Sequence, residues 1–133
     1  MKIDGGCHCG SITYTAEIDP EKVRICHCTD CQNISGSAYR VIVPAAKDAF
    51  DLHGKPKVYI KTAESGSKRA QGFCPECGSP IYSAAASDPQ FFMIRAGTIR
   101  QRAELRPKVQ QWCRSKLDWP QDLRGVPQVM KQG

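Results

Sequence analysis

Between Ser11 and Ile18 the chain alternates in period two. Ile12, Tyr14, Ala16 and Ile18 are apolar, while Ser11, Thr13, Thr15 and Glu17 are polar. That spacing puts one set of side chains on one face of a β-strand and the other set on the opposite face. Residues 57–61 repeat the pattern briefly between Gly54-Lys55-Pro56 and Glu64-Ser65-Gly66. Residues 39–43 read as a strand that ends at Pro44, which has no N–H to give a ladder. Residues 91–95 form a more continuous apolar strand closed by Gly97. Short apolar runs between Gly/Pro turns predict a mainly β, antiparallel domain. Single helical turns are expected over 29–34 and 45–49, and no segment carries a long amphipathic helix.

The length of 133 residues suits one domain, and 41% hydrophobic residues supply only a modest core. A small β-rich chain of this kind gains from staples. From about residue 116 the chain holds Pro120, Gly125 and Pro127 among few apolar residues, which predicts an extended tail lying over the surface. No apolar run is long enough to span a bilayer. The first residues carry no apolar signal stretch before Cys7, so the expected setting is cytoplasmic and reducing, where clustered thiols bind metal rather than pair.

Seven of the eight cysteines fall in three tight groups: Cys7-His8-Cys9, Cys26-His27-Cys28-Thr29-Asp30-Cys31 and Cys74-Pro75-Glu76-Cys77. An odd number cannot be used up by disulfides. It divides naturally into a closed four-thiolate zinc site and a three-thiolate zinc site with one free coordination position. Cys74-Pro75-Glu76-Cys77-Gly78 is a chelating turn, with Pro fixing φ early and Gly78 permitting a left-handed exit. Gly5, Gly6 and Gly10 around Cys7 and Cys9 suit a sharp bend. Spacing alone leaves the partition open. Cys28 and Cys31 with Cys74 and Cys77 would make a zinc ribbon. Cys7 and Cys9 with Cys74 and Cys77 would leave Cys26, Cys28 and Cys31 as a second set. With seven thiolates and two Zn²⁺ bound, the formal charge of +6 falls to about +3. The Lys and Arg residues are scattered, so neither a nucleic-acid face nor a membrane surface is expected.

Three stretches together carry a specific resemblance. They are Gly5-Gly6-Cys7-His8-Cys9-Gly10-Ser11, then Cys26 to Gln32 followed by Ser35-Gly36-Ser37-Ala38-Tyr39, then Phe73-Cys74-Pro75-Glu76-Cys77-Gly78-Ser79-Pro80-Ile81-Tyr82. In this order they resemble the glutathione-dependent formaldehyde-activating enzyme family over roughly residues 3 to 130. The resemblance implies a β-tent fold stapled by zinc and two zinc ions per chain. It implies a structural zinc on Cys7, Cys9, Cys74 and Cys77, and an active-site zinc on Cys26, Cys28 and Cys31. The chain departs from the family pattern at Asn33, where a basic residue is expected.

The implied activity is that of a carbon–sulfur lyase acting on glutathione–aldehyde adducts, with S-hydroxymethylglutathione made or cleaved at the open zinc. A non-catalytic thiol-adduct carrier and a zinc-ribbon interaction domain are the alternatives. Ser35, Ser37 and Tyr39 follow the three-cysteine loop and are candidate ligand contacts. His8 and His27 flank ligands and are expected beside the metal rather than on it. His53 reads as a turn residue. Cys113, Phe73, Phe91, Phe92 and Trp112 are expected in the core.

Overall fold

Ten strands and one short helix organise the computed structural model, which describes residues 1–132. In chain order the strands are β1 Lys2–Gly6, β2 Thr13–Glu17, β3 Arg24–Cys26, β4 Arg40–Ala46 and β5 Phe50–His53. They continue as β6 Lys57–Thr62, β7 Lys68–Phe73, β8 Pro80–Ala85, β9 Phe91–Arg95 and β10 Val109–Gln111; helix α1 is Thr29–Ser35. β1, β2 and β5 make a three-stranded sheet, and the rest make a seven-stranded sheet in the order β10-β3-β4-β9-β8-β7-β6. The result is the mainly β, tent-like architecture expected. One detail differs: β10 pairs with β3 in parallel, while every other strand pair is antiparallel. The chain returns from β9 through residues 96–108 and meets β3 from the same end, a crossover that only a parallel pair can close. The Lys108 N–H bonds to the Val23 carbonyl (2.8 Å) and the His27 N–H to the Gln111 carbonyl (3.0 Å), so both ends of this short ladder are pinned.

β2 follows the predicted alternation, with Tyr14 and Ala16 buried and Thr13, Thr15 and Glu17 exposed. Its apolar side faces the large sheet. Ile12 and Tyr14 share one core with Val43, Ile81 and Ile94. Burying each such side chain contributes about 1.5–3 kcal/mol. Phe50 of β5 adds a cross-sheet contact, its ring 6.2 Å from Tyr82 and 5.2 Å from Phe92.

β4 does not stop at Pro44. It continues to Ala46, with Pro44 opposite Met93 of β9. β3 pairs with β4 only as far as Ile42, so Pro44 sits where one side of the strand is open and a missing N–H costs least. The turn expected over 45–49 is correspondingly shortened to a 3-10 turn at Lys47–Ala49. β6 is an edge strand, and Val58, Tyr59 and Ile60 stay exposed despite their alternating pattern. Phe91 and Trp112 are also corrections. They are 55% and 46% exposed rather than core, Phe91 starting its strand and Trp112 lying in an irregular stretch. Among the described residues no helix is long and apolar enough to cross a membrane.

Candidate metal centre and cavity

Two sulfur clusters form. The Sγ atoms of Cys7, Cys9, Cys74 and Cys77 lie within 4.8 Å of one another, and so do those of Cys26, Cys28 and Cys31. The ribbon pairing of Cys28 and Cys31 with Cys74 and Cys77 does not occur. Cys7 and Cys9 leave the end of β1, while Cys74 and Cys77 occupy the turn between β7 and β8. The four-sulfur cluster therefore joins the small sheet to the large one. The turn closes through Gly78 at φ +80, a left-handed conformation suited to glycine, with the Gly78 N–H on the Cys74 carbonyl (2.8 Å).

Both clusters fit a metal by their own chemistry. Thiolates 2.3 Å from a tetrahedral zinc lie about 3.8 Å apart. Cys7 and Cys9 are 3.6 Å apart, and Cys9 and Cys74 are 3.8 Å apart. The surroundings also suit anionic sulfur. The Ile12 N–H donates to Cys7 (3.2 Å), and the Ser11 hydroxyl lies 3.1 Å from both Cys9 and Cys74. Ser79 stands 3.3 Å from Cys77, and its hydrogen bonds hold that thiol down to about 5. Cys74 is fully buried and Cys7 nearly so. The cluster is closed by its own four sulfurs.

The second cluster is built on one local turn. Cys26 ends β3, Cys28 is the N-cap of α1, and Cys31 lies in its first turn. The Cys28 sulfur accepts the Cys31 N–H (3.2 Å), which holds the two side chains on one side of the helix start. Crowded thiols cannot all ionise unaided. The Cys31 hydrogen bond draws the Cys26 thiol down to about 5, while the same contact, reinforced by burial, pushes Cys31 up. A divalent cation among the three sulfurs removes that conflict.

This cluster opens into a cavity of about 590 Å³. Its floor is one face of the seven-stranded sheet. Arg40 is the cross-strand partner of Cys26, Arg95 that of Ile42, and Ser83 that of Gln71. All of these side chains line the cavity, because partners across an antiparallel pair project to the same side. Trp112 and Arg114 close the rim. Trp112 adopts a left-handed backbone (φ +59), and the Arg114 guanidinium sits 4.9 Å from its ring centre. The buried arginines were not singled out from the sequence. The available signal was an arginine at an inward position of an apolar strand, as in Arg40-Val41-Ile42-Val43 and Phe92-Met93-Ile94-Arg95.

The other candidates fall outside the two clusters. Ser35, Ser37 and Tyr39 do not line this cavity. The Ser35 hydroxyl donates to the Gln32 carbonyl (3.4 Å), and the Tyr39 ring packs edge-on against His27 at 5.5 Å. Gly36 caps α1 at φ +66 and turns the chain at this point. His27 is fully buried, its Nε2 2.7 Å from the Gln110 side chain and its Nδ1 without a partner. His8 and His53 are exposed, the latter 3.1 Å from Asp51. Cys113 is exposed rather than core; its sulfur approaches the Gln110 carbonyl, and it belongs to neither cluster.

A two-sheet β scaffold carries one closed and one open cysteine cluster, each able to hold a metal ion. The chain belongs to the glutathione-dependent formaldehyde-activating enzyme family, whose model matches residues 2–115. It is similar to an uncharacterized lyase of Schizosaccharomyces pombe, 28% identical over 97 residues that make up 70% of this chain and 65% of that protein. The chain thus spans just under two thirds of that lyase's length. A Rhodobacter sphaeroides protein of known crystal structure shares the fold, with a TM-score of 0.62 at 17% identity over 80% of this chain and 98% of that one.

Proposed function

We propose that this protein is a zinc-dependent carbon–sulfur lyase-like enzyme that makes or cleaves glutathione–aldehyde adducts such as S-hydroxymethylglutathione. One observation carries the reading: the four-sulfur cluster closes on itself, while the three-sulfur cluster faces a cavity. Cys7, Cys9, Cys74 and Cys77 hold a structural zinc, and Cys26, Cys28 and Cys31 hold the reactive one. When bound, that second zinc supplies a soft Lewis-acid position that favours thiolate over thiol at neutral pH.

The chain's own residues do the rest. Cys28 and Cys31 hold their sulfurs in place through the α1 N-terminus. The strand arginines beneath them offset the negative charge that thiolates gather. Trp112 and Arg114 narrow the mouth and reduce the access of water. In the forward direction the sulfur lone pair forms the carbon–sulfur bond, the carbonyl π pair moves to oxygen, and the proton given up by the thiol ends on that oxygen.

The test is adduct exchange with ¹³C-formaldehyde and glutathione, followed by NMR, together with cobalt substitution of the open site. Faster exchange than in buffer is expected, with sulfur-to-cobalt absorption moving toward a four-sulfur pattern on adding glutathione. S-methylglutathione should change the spectrum much less. Exchange no faster than buffer, with an unchanged cobalt spectrum at millimolar thiol, would leave a structural or interaction module instead.

A further inference from the structure

Six cationic side chains line the cavity: Arg24, Arg40, Lys61, Arg69, Arg95 and Arg114. Its two acidic residues are already engaged. Asp30 pairs with Lys61 (2.7 Å) and Glu64 with Arg114 (2.9 Å). Among the described residues the other four arginines form no ion pair with a carboxylate. Two of them are nine-tenths buried or more: Arg40 is 6% exposed and Arg95 5%. Both donate to a single acceptor, the Gln71 side-chain oxygen, at 3.2 and 2.7 Å. Arg40 Nη2 and Arg95 Nε are buried with no partner. Burial and the neighbouring Arg40 charge lower Arg95 to about 9, which still leaves it cationic at neutral pH.

Two like charges sharing one neutral acceptor are costly in a fold unless an anion joins them. The cysteine cluster does not supply enough. Three thiolates around a divalent cation carry one net negative charge, against four unpaired arginines. Arg24 and Arg69 are partly exposed and can be solvated, so the buried Arg40 and Arg95 are the pair that lacks a counter-ion. A glutathione-type thiolate, with two carboxylates and one ammonium, brings two net negative charges and leaves the cavity within about one charge of neutrality. Guanidinium forks recognise carboxylates by paired, charge-assisted hydrogen bonds.

We infer that the Arg40–Gln71–Arg95 array is a carboxylate-binding subsite of the cavity, and that it selects ligands that carry a carboxylate there over their amides. This rests on the reading of the cavity as a thiol-adduct site, but it is tested without sulfur. The probe is γ-glutamyl-2-aminobutyryl-glycine, which is glutathione with a methyl group in place of the thiol, and its diamide. Each is titrated calorimetrically into the metal-loaded full chain. The dicarboxylate is expected to bind at least about tenfold more tightly than the diamide. Arg95→Gln should remove that preference. Because a buried arginine variant can fail to fold, Gln71→Glu provides the second arm. It places a carboxylate of the protein's own between the two guanidinium groups, so thermal stability should hold or rise while the preference disappears.

Equal binding of the two peptides, binding of neither, or a Gln71→Glu protein that still prefers the dicarboxylate would overturn the inference. The two readings separate cleanly. A protein that prefers the dicarboxylate yet catalyses no adduct exchange keeps the subsite and loses the lyase reading. One that exchanges the adducts of glutathione and of glutathione diamide with equal KM keeps the lyase reading and loses the subsite.

Discussion

Cys9 and Cys74 are 65 residues apart in the chain, yet their sulfurs lie 3.8 Å from each other. Cys9 follows the first strand of the small sheet and Cys74 the seventh strand overall, in the large sheet. A metal held by this pair and by Cys7 and Cys77 would therefore close a long loop and tie two sheets across a modest core.

The first prediction follows from that closure. Cys74 is fully buried at the junction of the sheets, whereas Cys28 is half-exposed beside the cavity. Loss of a structural metal site costs on the order of several kcal/mol of folding free energy. Cys74→Ser should be insoluble or unfolded by circular dichroism. Cys28→Ser should keep a cooperative melt while losing one metal. Equal folding defects in the two variants would contradict a division into structural and reactive clusters.

The second concerns metal removal. The open cluster offers three cysteines drawn from one local turn and faces solvent through its cavity; the closed cluster offers four, from two sheets. Protein purified without chelator should contain close to two zinc ions by elemental analysis. Mild chelation should strip one first with little change in the far-ultraviolet spectrum. A single tightly held zinc with several reactive thiols would argue against the two-site assignment.

The third is a pH dependence. Tyr14 sits in the core, its hydroxyl 2.7 Å from that of Thr98, which itself donates to the Arg95 carbonyl (2.8 Å). Burial pushes the Tyr14 phenol up to about 12. Its folded value thus lies above the unfolded one of about 10. The unfolded chain loses this proton first, so stability is unaffected below pH 10 and falls as pH rises from there toward 12. Tyrosinate absorbance should show late titration for Tyr14 and, through burial, a raised value for Tyr82. Tyr14→Phe should delete the latest step and flatten the alkaline loss of stability, while costing about 1 kcal/mol at neutral pH through the lost hydrogen bond. An unchanged titration curve in that variant would place the late phenol elsewhere.

Much was legible from the chain alone because it was local. The alternation from Ile12 to Ile18 dictated a strand with one buried face, since side-chain direction in a strand depends only on parity. Chelating cysteines two and three residues apart, with Gly78 closing one turn, are likewise short-range facts of backbone geometry. What the chain could not settle was long-range. The partition of seven sulfurs depends on which loops the sheets bring together, and spacing permits two answers. Pro44 could stay in β4 because β3 had already ended beside it, and Trp112 stands 46% exposed at a cavity rim with the Arg114 guanidinium against its ring. The same holds for Arg40 and Arg95. Each is one charged residue in an apolar run, and only the register of β3, β4, β7 and β9 places both beside Gln71 under Cys26. Charges so arranged in a low-dielectric floor acquire a shared need for an anion that neither has alone.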